Sequence, residues 1–529
     1  MSASHSNASS RPRLLYSRFK SASSTVVLHA RKHAGVGIVC SVAYFDPGNW
    51  GVDLQAGSQF GYRLLFVVLL AGLFAVFLQV LAARLGCVTG LDLASHCRVL
   101  LYARPKHTLL YRWLGLYPLY ILSEVAIIST DLAELLGPVP ALPAITMWHG
   151  VIITAFDVVL LLALRDPLRS TPVKMFELLI AGLVLAVLIC MVVIITKVNV
   201  DWAQAFDGFL PSKFLFGNGS LYTSVGILGA TVMPHSLFLG SALATQNRLT
   251  VEEKPESLAS VDPKETTSRT HYKPSTLRRI LGFFVALFRT PPSSPHATVV
   301  KRHADRENNT LAFVRAHLYH GIFDVVASLL GFAVLINSLI LILASAVFFY
   351  GSGRMPTTKS ASLFDAYDLI HDVVGAPAAT LFAIALLAAG QSSSIIATVA
   401  GQAVSEGFLN WRVSPVVRRL FTRLIAVIPS MAVAVAVGRP GIDALLVGSQ
   451  VVLSIVLPFI TLPLVFLTSS KTVMRVRKPE MQPPRWNDEV DFSSGKIATA
   501  IGCAIWLVIL TANIYMIASL AMGESGSVS

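Results

Sequence analysis

Two short stretches hold the residues able to do chemistry in an otherwise apolar chain. Tyr44-Phe45-Asp46-Pro47-Gly48-Asn49-Trp50 sets an acid and an amide around a Pro-Gly pair, and Gly229-Ala230-Thr231-Val232-Met233-Pro234-His235-Ser236 sets a thioether and an imidazole around a second proline. Proline removes a backbone donor and glycine lowers the cost of unwinding, so each stretch reads as a break in a helix, with carbonyls left over to face a ligand. A carboxylate held in such a break inside a membrane is a functional site by default. Asp46, Asn49 and Met233 combine carboxylate oxygen, amide oxygen and sulfur. A thioether offers nothing to Mg²⁺ or Ca²⁺, whereas Mn²⁺, Fe²⁺ and their neighbours accept it. Alone, a methionine is packing and a proline a kink; paired with Asp-Pro-Gly-Asn, Met-Pro-His reads as the other half of a binding site.

The elements that must position these residues are membrane helices. Of 529 residues, 54% are hydrophobic and only 13% charged, and the mean hydropathy of +0.66 excludes a soluble multidomain protein. The net charge of +13 does not mark nucleic-acid binding, because Lys and Arg fall mostly in loops between apolar runs, where they set topology. The five cysteines, Cys40, Cys87, Cys97, Cys190 and Cys503, show no CxxC spacing, so neither a disulfide framework nor a zinc site is expected. The Ser- and Arg-rich start lacks the apolar core of a signal peptide.

Windows of about 20 apolar residues, the length that crosses a bilayer, recur about eleven times, the first at 33 to 58 and the last at 495 to 521. The expected organisation is a disordered cytosolic tail at 1–32, six helices in 33–244, a disordered cytosolic loop at 245–310, five helices in 311–521, and a short non-cytosolic tail at 522–529. Arg11, Arg13, Arg18, Lys20, Arg31 and Lys32 put the N-terminus in the cytosol. Arg412, Arg418, Arg419 and Arg423 then join the same side. Within the long loop, Leu277–Phe284 is a basic and aromatic run too short to span, which reads either as a segment lying on the membrane surface or as a solvated loop with a hydrophobic cluster, and Asn218-Gly219-Ser220 is a glycosylation sequon. The two breaks lie five crossings apart and so enter with opposite orientation, which fits an inverted five-plus-five repeat with a site at the midplane.

Taken together, Asp46-Pro47-Gly48-Asn49 and Met233-Pro234-His235 resemble the paired signature of the Nramp family of proton-coupled divalent transition-metal transporters. The resemblance extends through Gly390-Gln391-Ser392-Ser393-Ser394, Gly401-Gln402, Glu406-Gly407-Phe408, Glu124-Val125-Ala126-Ile127-Ile128 and Ser449-Gln450-Val451-Val452-Leu453-Ser454, covering about Lys32 to Leu520 apart from the long loop. It implies an all-α, polytopic, LeuT-like fold of two inverted five-helix repeats plus a peripheral helix. It also implies Asp46, Asn49 and Met233 as side-chain ligands, joined in some states by the backbone carbonyls of Ala43 and Ala230 and by Gln450. His235 is placed near the metal and the proton route. Two departures are visible: Asp324 stands where the family commonly has Glu, and Val456 where many eukaryotic relatives have Gln.

Glu124, Asp131 and Glu134 fall at i, i+7 and i+10, on one face of the third crossing. That face must line either a polar path or a salt-bridge network, since three carboxylates cannot face lipid; the resemblance favours a proton relay. The reading is thus a transporter of Mn²⁺ or Fe²⁺ coupled to protons, probed against a sodium-coupled solute symporter of the same fold and a transport-dead metal sensor. No enzyme, cofactor or nucleic-acid partner is expected. The expected setting is a monomer in the plasma membrane or an endosomal or vacuolar membrane.

Overall fold

The computed structural model describes residues 35–141, 174–217, 219–247, 302–351, 361–410, 414–478 and 489–522. Helices occupy ten of the eleven expected crossings. The window at 142 to 164 lies outside the described residues, as do the 1–32 tail, the Leu277–Phe284 run, the sequon residue Asn218 and residues 523–529.

The first crossing is split into α1 (Val36–Val42) and α2 (Pro47–Phe60). α3 (Leu65–Thr89) follows and ends on Gly90, whose φ of 65° is the left-handed cap that glycine adopts without strain. A short helix, α4 (Leu93–Leu101), precedes α5 (Tyr117–Leu136), and α6 (Lys174–Ile195) completes the first half. The sixth crossing is split again, into α7 (Ser220–Thr231) and α8 (Pro234–Leu243). α9 (Leu311–Ser328) runs through a π-turn into α10 (Leu335–Ala344). The surface helix α11 (Leu363–Val373) opens on a capping box between Ser362 and Asp365. The chain finishes with α12 (Ala376–Leu409), α13 (Pro415–Ala436), α14 (Arg439–Ser469) and α15 (Lys496–Ala521).

Lipid cannot satisfy backbone groups, so helix is the only spanning form open to these apolar runs, and helix–helix contact is gained through small residues. α12 is rich in Ala, Gly and Ser: Gly390 abuts Pro138 at the end of α5, and Gly407 abuts Ala94 of α4. α14 packs against α5, α7, α2 and α3, which puts it beside both breaks. α15 stands at the edge, with Ile497, Leu507, Val508 and Ile514 exposed to where lipid would be.

Two features depart from the sequence reading. Strands β1 (Arg475–Arg477) and β2 (Glu489–Asp491) pair antiparallel, Val476 opposite Val490, in a chain read as wholly helical. Residues 302–310, counted into a disordered loop, are ordered. Asn309 donates through Nδ2 to the Cys87 carbonyl (2.8 Å) and through its backbone N–H to the Val88 carbonyl (3.1 Å), and Arg306 donates to the Thr89 carbonyl (2.9 Å). These are the last carbonyls of α3, which no helical N–H can reach. Asn308 donates to the carbonyls of Val473 and Arg475, both at 2.7 Å, tying the same strap to β1. His303 stacks on His96 of α4 with ring centroids 5.2 Å apart, and a nitrogen of each ring meets the other at 3.0 Å.

Candidate functional site

At the first break the backbone can be accounted for group by group. The Cys40, Ser41 and Val42 carbonyls accept from Ala43, Tyr44 and Phe45, the tighter i+3 pattern of a helix end. The Tyr44 carbonyl accepts from Asn337 Nδ2 (2.7 Å) and the Phe45 carbonyl from Trp50 Nε1 (3.0 Å). The Asp46 carbonyl accepts from Trp50 N (3.1 Å). Ala43 is the exception. Its i+4 partner is Pro47, which has no N–H, and no other backbone donor reaches this carbonyl among the described residues. The second break repeats the register, because Pro234 stands four residues after Ala230.

Asp46 is the N-cap of α2: its Oδ1 accepts from Asn49 N (3.0 Å) and from Asn49 Nδ2 (2.6 Å). The second bond turns the Asn49 amide so that its oxygen points away from the carboxylate. Asp46 Oδ2 is buried and has no hydrogen-bond partner among the described residues. Met233 occupies the matching N-cap of α8 and makes no capping bond. Asp46, Ala43 and Met233 have 0% of their surface exposed; Asn49, Ala230, His235 and Gln450 are buried too.

One turn of α14 closes over both breaks. A Cβ on Gly48 would run into the Gln450 amide, and a Cβ on Gly229 into the Ser454 hydroxyl, so each glycine marks a close approach to the same face, four residues apart on α14. Gln450 Oε1 is buried without a partner among the described residues, as is His235 Nε2, while His235 Nδ1 lies 3.3 Å from Thr130 Oγ1 of α5. Ser236 Oγ reaches the Cys40 carbonyl (3.4 Å) and Gln79 Oε1 (3.3 Å), and Gln79 also accepts from the Tyr44 hydroxyl (2.9 Å), which joins α8 to α1 through α3. Both breaks therefore lie against the same turn of α14.

The acidic face of α5 is occupied by arginines of α13. Arg418 donates to both oxygens of Glu124, at 2.6 and 2.8 Å. Arg423 lies 3.9 Å from Asp131, and it donates to the hydroxyl of Ser394. Glu134 accepts from Ser393 Oγ (2.7 Å), while its Oε2 is buried without a partner among the described residues. The salt-bridge alternative is thus realised at Glu124 and Asp131. Arg418 and Arg423 carry more than topology: α13 brings their guanidiniums onto α5 about 290 residues away in the chain. Their position inside an apolar window was the available signal.

Sequence reasoning also passed over Asp53, buried in α2 with its Oδ2 unpartnered among the described residues, and Gln79, Asn337 and Ser236, which hold the unwound segment. Asp324, the shorter acid of its position, accepts from the Gly35 and Gly37 N–H groups at 3.1 and 2.7 Å and so caps α1. Val456 is buried in α14.

The family model described as "Natural resistance-associated macrophage protein-like" matches residues 37–289 and 295–519. The chain belongs to the Nramp family. Among Nramp relatives it is 41% identical to the manganese transporter pdt1 of Schizosaccharomyces pombe, over 93% of this chain and 86% of that one. It is 36% identical to the iron transporter SMF3 of Saccharomyces cerevisiae, over 93% of this chain and 96% of that one. Among solved structures it resembles an Eremococcus coleocola manganese transporter variant, with a TM-score of 0.66 at 28% identity, covering 92% of this chain and 86% of that one. The Nramp architecture accounts for what is seen here: a LeuT-like fold, whose two inverted repeats each begin with a broken helix, α1/α2 in one and α7/α8 in the other.

Proposed function

We propose that this protein is a secondary active transporter that carries Mn²⁺ or Fe²⁺ towards the cytosol together with protons. The observation that carries the reading is the donor set left open where α14 crosses both breaks: Asp46 Oδ2 and Gln450 Oε1, both buried and unpartnered among the described residues, beside a carbonyl freed by proline at each break and the Met233 thioether. In this role Asp46, Asn49 and Met233 hold the ion, with Ala43, Ala230 and Gln450 contributing as the helices move. The mix of hard oxygen and soft sulfur selects first-row transition ions over Ca²⁺ and Mg²⁺. Among the described residues no three His, Cys, Asp or Glu side chains cluster to hold a metal. A site without a cage of strong ligands suits cargo, which must be released.

Asp46 links the two ions because its carboxylate takes either a proton or the metal. His235, Glu134, Asp131 and Glu124 form the proton route, with Arg423 and Arg418 as the cations that the acids exchange for a proton. The basic loops put the N-terminus and the long loop in the cytosol, and the carrier works as a monomer in the plasma membrane or an endosomal or vacuolar membrane. A sodium-coupled solute carrier of the same fold would have no use for a thioether, and a transport-dead sensor would have no use for a line of buried carboxylates leading away from the ion. The deciding experiment is uptake by the purified protein in liposomes with a panel of divalent ions at two pH values. Mn²⁺ entry should quicken with an acidic exterior and be unaffected by sodium; sodium-dependent uptake, or binding without uptake, would overturn the proposal.

A further inference from the structure

The turn between α4 and α5 gathers basic and aromatic side chains with no acid among them. The Arg112 guanidinium carbon lies 3.7 Å from the centre of the Tyr102 ring and that of Arg98 4.6 Å from it, while Arg104 sits 5.3 Å from the centre of Tyr111. Arg104 donates through Nε to the Leu100 carbonyl and Arg112 through Nε to the Tyr102 carbonyl, both at 2.8 Å. These carbonyls end α4, where helical donors have run out. Each guanidinium is thus anchored by one edge and stacked on a ring, and the terminal amino groups of both have no partner among the described residues. Neither Arg104 nor Arg112 is paired with a carboxylate there, and Lys106 is exposed between them. Directly beside this cluster, Trp113 is 67% exposed and Leu114 73%, with Leu109 and Leu110 also bare.

We infer that this turn binds the headgroup of an anionic phospholipid. A bare Trp and three bare Leu at a helix end sit at the boundary between water and acyl chains, which places the free edges of Arg104 and Arg112 at headgroup depth. A guanidinium held by one edge and stacked on a ring offers a fixed fork to a phosphate oxygen pair, with little rotamer freedom left to lose. The strap at 302–310 bonds the end of α3 on this same side. The lipid is therefore one of the leaflet on the strap's side, where basic residues strengthen binding to an anionic surface.

The test titrates the full chain in neutral detergent with fluorescent phosphatidylserine and with phosphatidylcholine of the same acyl chains, reading anisotropy. The serine lipid should bind about tenfold tighter. Arg104→Ala with Lys106→Ala, two exposed side chains, should remove at least a threefold part of that preference, and adding Arg112→Ala should remove the rest. Inorganic phosphate at millimolar concentration should not displace the lipid. Equal affinity for the two lipids, an unchanged preference in both variants, or displacement by free phosphate would each overturn the assignment.

Discussion

The two breaks share a register and differ in how they are held. Both place alanine, two spacers, a ligand candidate and then proline, at Ala43 to Pro47 and at Ala230 to Pro234. At the first, Asp46 does two jobs: Oδ1 caps α2 and a negative charge faces a positive helix end, while Oδ2 stays open. At the second, Met233 caps nothing, and α8 is positioned from outside, by Thr130 through His235 and by Cys40 and Gln79 through Ser236. The first break carries its own charged cap and is braced at Tyr44 by Asn337 and Gln79; the second has no cap of its own and is held by its neighbours alone. In the proposed transport site, this division would separate affinity for any cation, at Asp46, from preference among cations, at Met233.

The sharpest way to break that comparison is at Asp46. Asp46→Asn keeps a competent cap and loses the charge, so thermal stability in detergent should hold while Mn²⁺ uptake in liposomes falls about a hundredfold or more, as expected for removing a buried charge partner. Uptake within threefold of the parent would show that the carboxylate serves only the helix. Next in size are the glycines beneath α14. Gly48→Ala and Gly229→Ala each press a methyl into a packed turn, at a cost of about 1–3 kcal/mol. Both should slow uptake about tenfold, and a silent Gly229→Ala would mean that α14 closes over one break alone. Met233→Ala should keep some Mn²⁺ uptake and lose discrimination against Ca²⁺ about tenfold, read by competition; unchanged selectivity would reduce the thioether to packing.

The last effect lies outside the membrane. Burial and the nearby Arg306 and Arg104 push His303 down to about 4, and burial, His303 and Arg306 hold His96 well below its ordinary value of 6.5. Asp92 lies close to Arg306, and the strap itself carries Asp305 and Glu307. Both rings therefore bind protons less readily when the strap is docked. Docking is at full strength above about 6.5 and weakens as pH falls from there towards the docked value. Hydrogen exchange at residues 302–310, corrected for intrinsic rate, should run about tenfold faster at pH 5 than at pH 7; equal protection at both would leave the histidine pair without a part in holding the strap.

The two breaks were legible in the sequence because a proline beside a polar residue contradicts an apolar run wherever it stands. The face bearing Glu124, Asp131 and Glu134 was legible from helical spacing alone. What those acids meet was not, because pairing with Arg418 and Arg423 joins helices far apart in the chain, and a positive residue at a helix end carries the same letter whether it marks a loop or answers a carboxylate. Strands of three residues fall below any alternation signal, and the strap is ordered by the carbonyl ends of α3, a property of its neighbour and not of its own polar composition.

The approach of Gln450 to Gly48 and of Ser454 to Gly229 makes one turn of α14 a shared latch. It cannot be lifted from one break and left resting on the other. The two halves of the cavity would then be released in a single stroke, and a rigid molecule wedged beneath that turn would arrest the carrier with its cargo still inside.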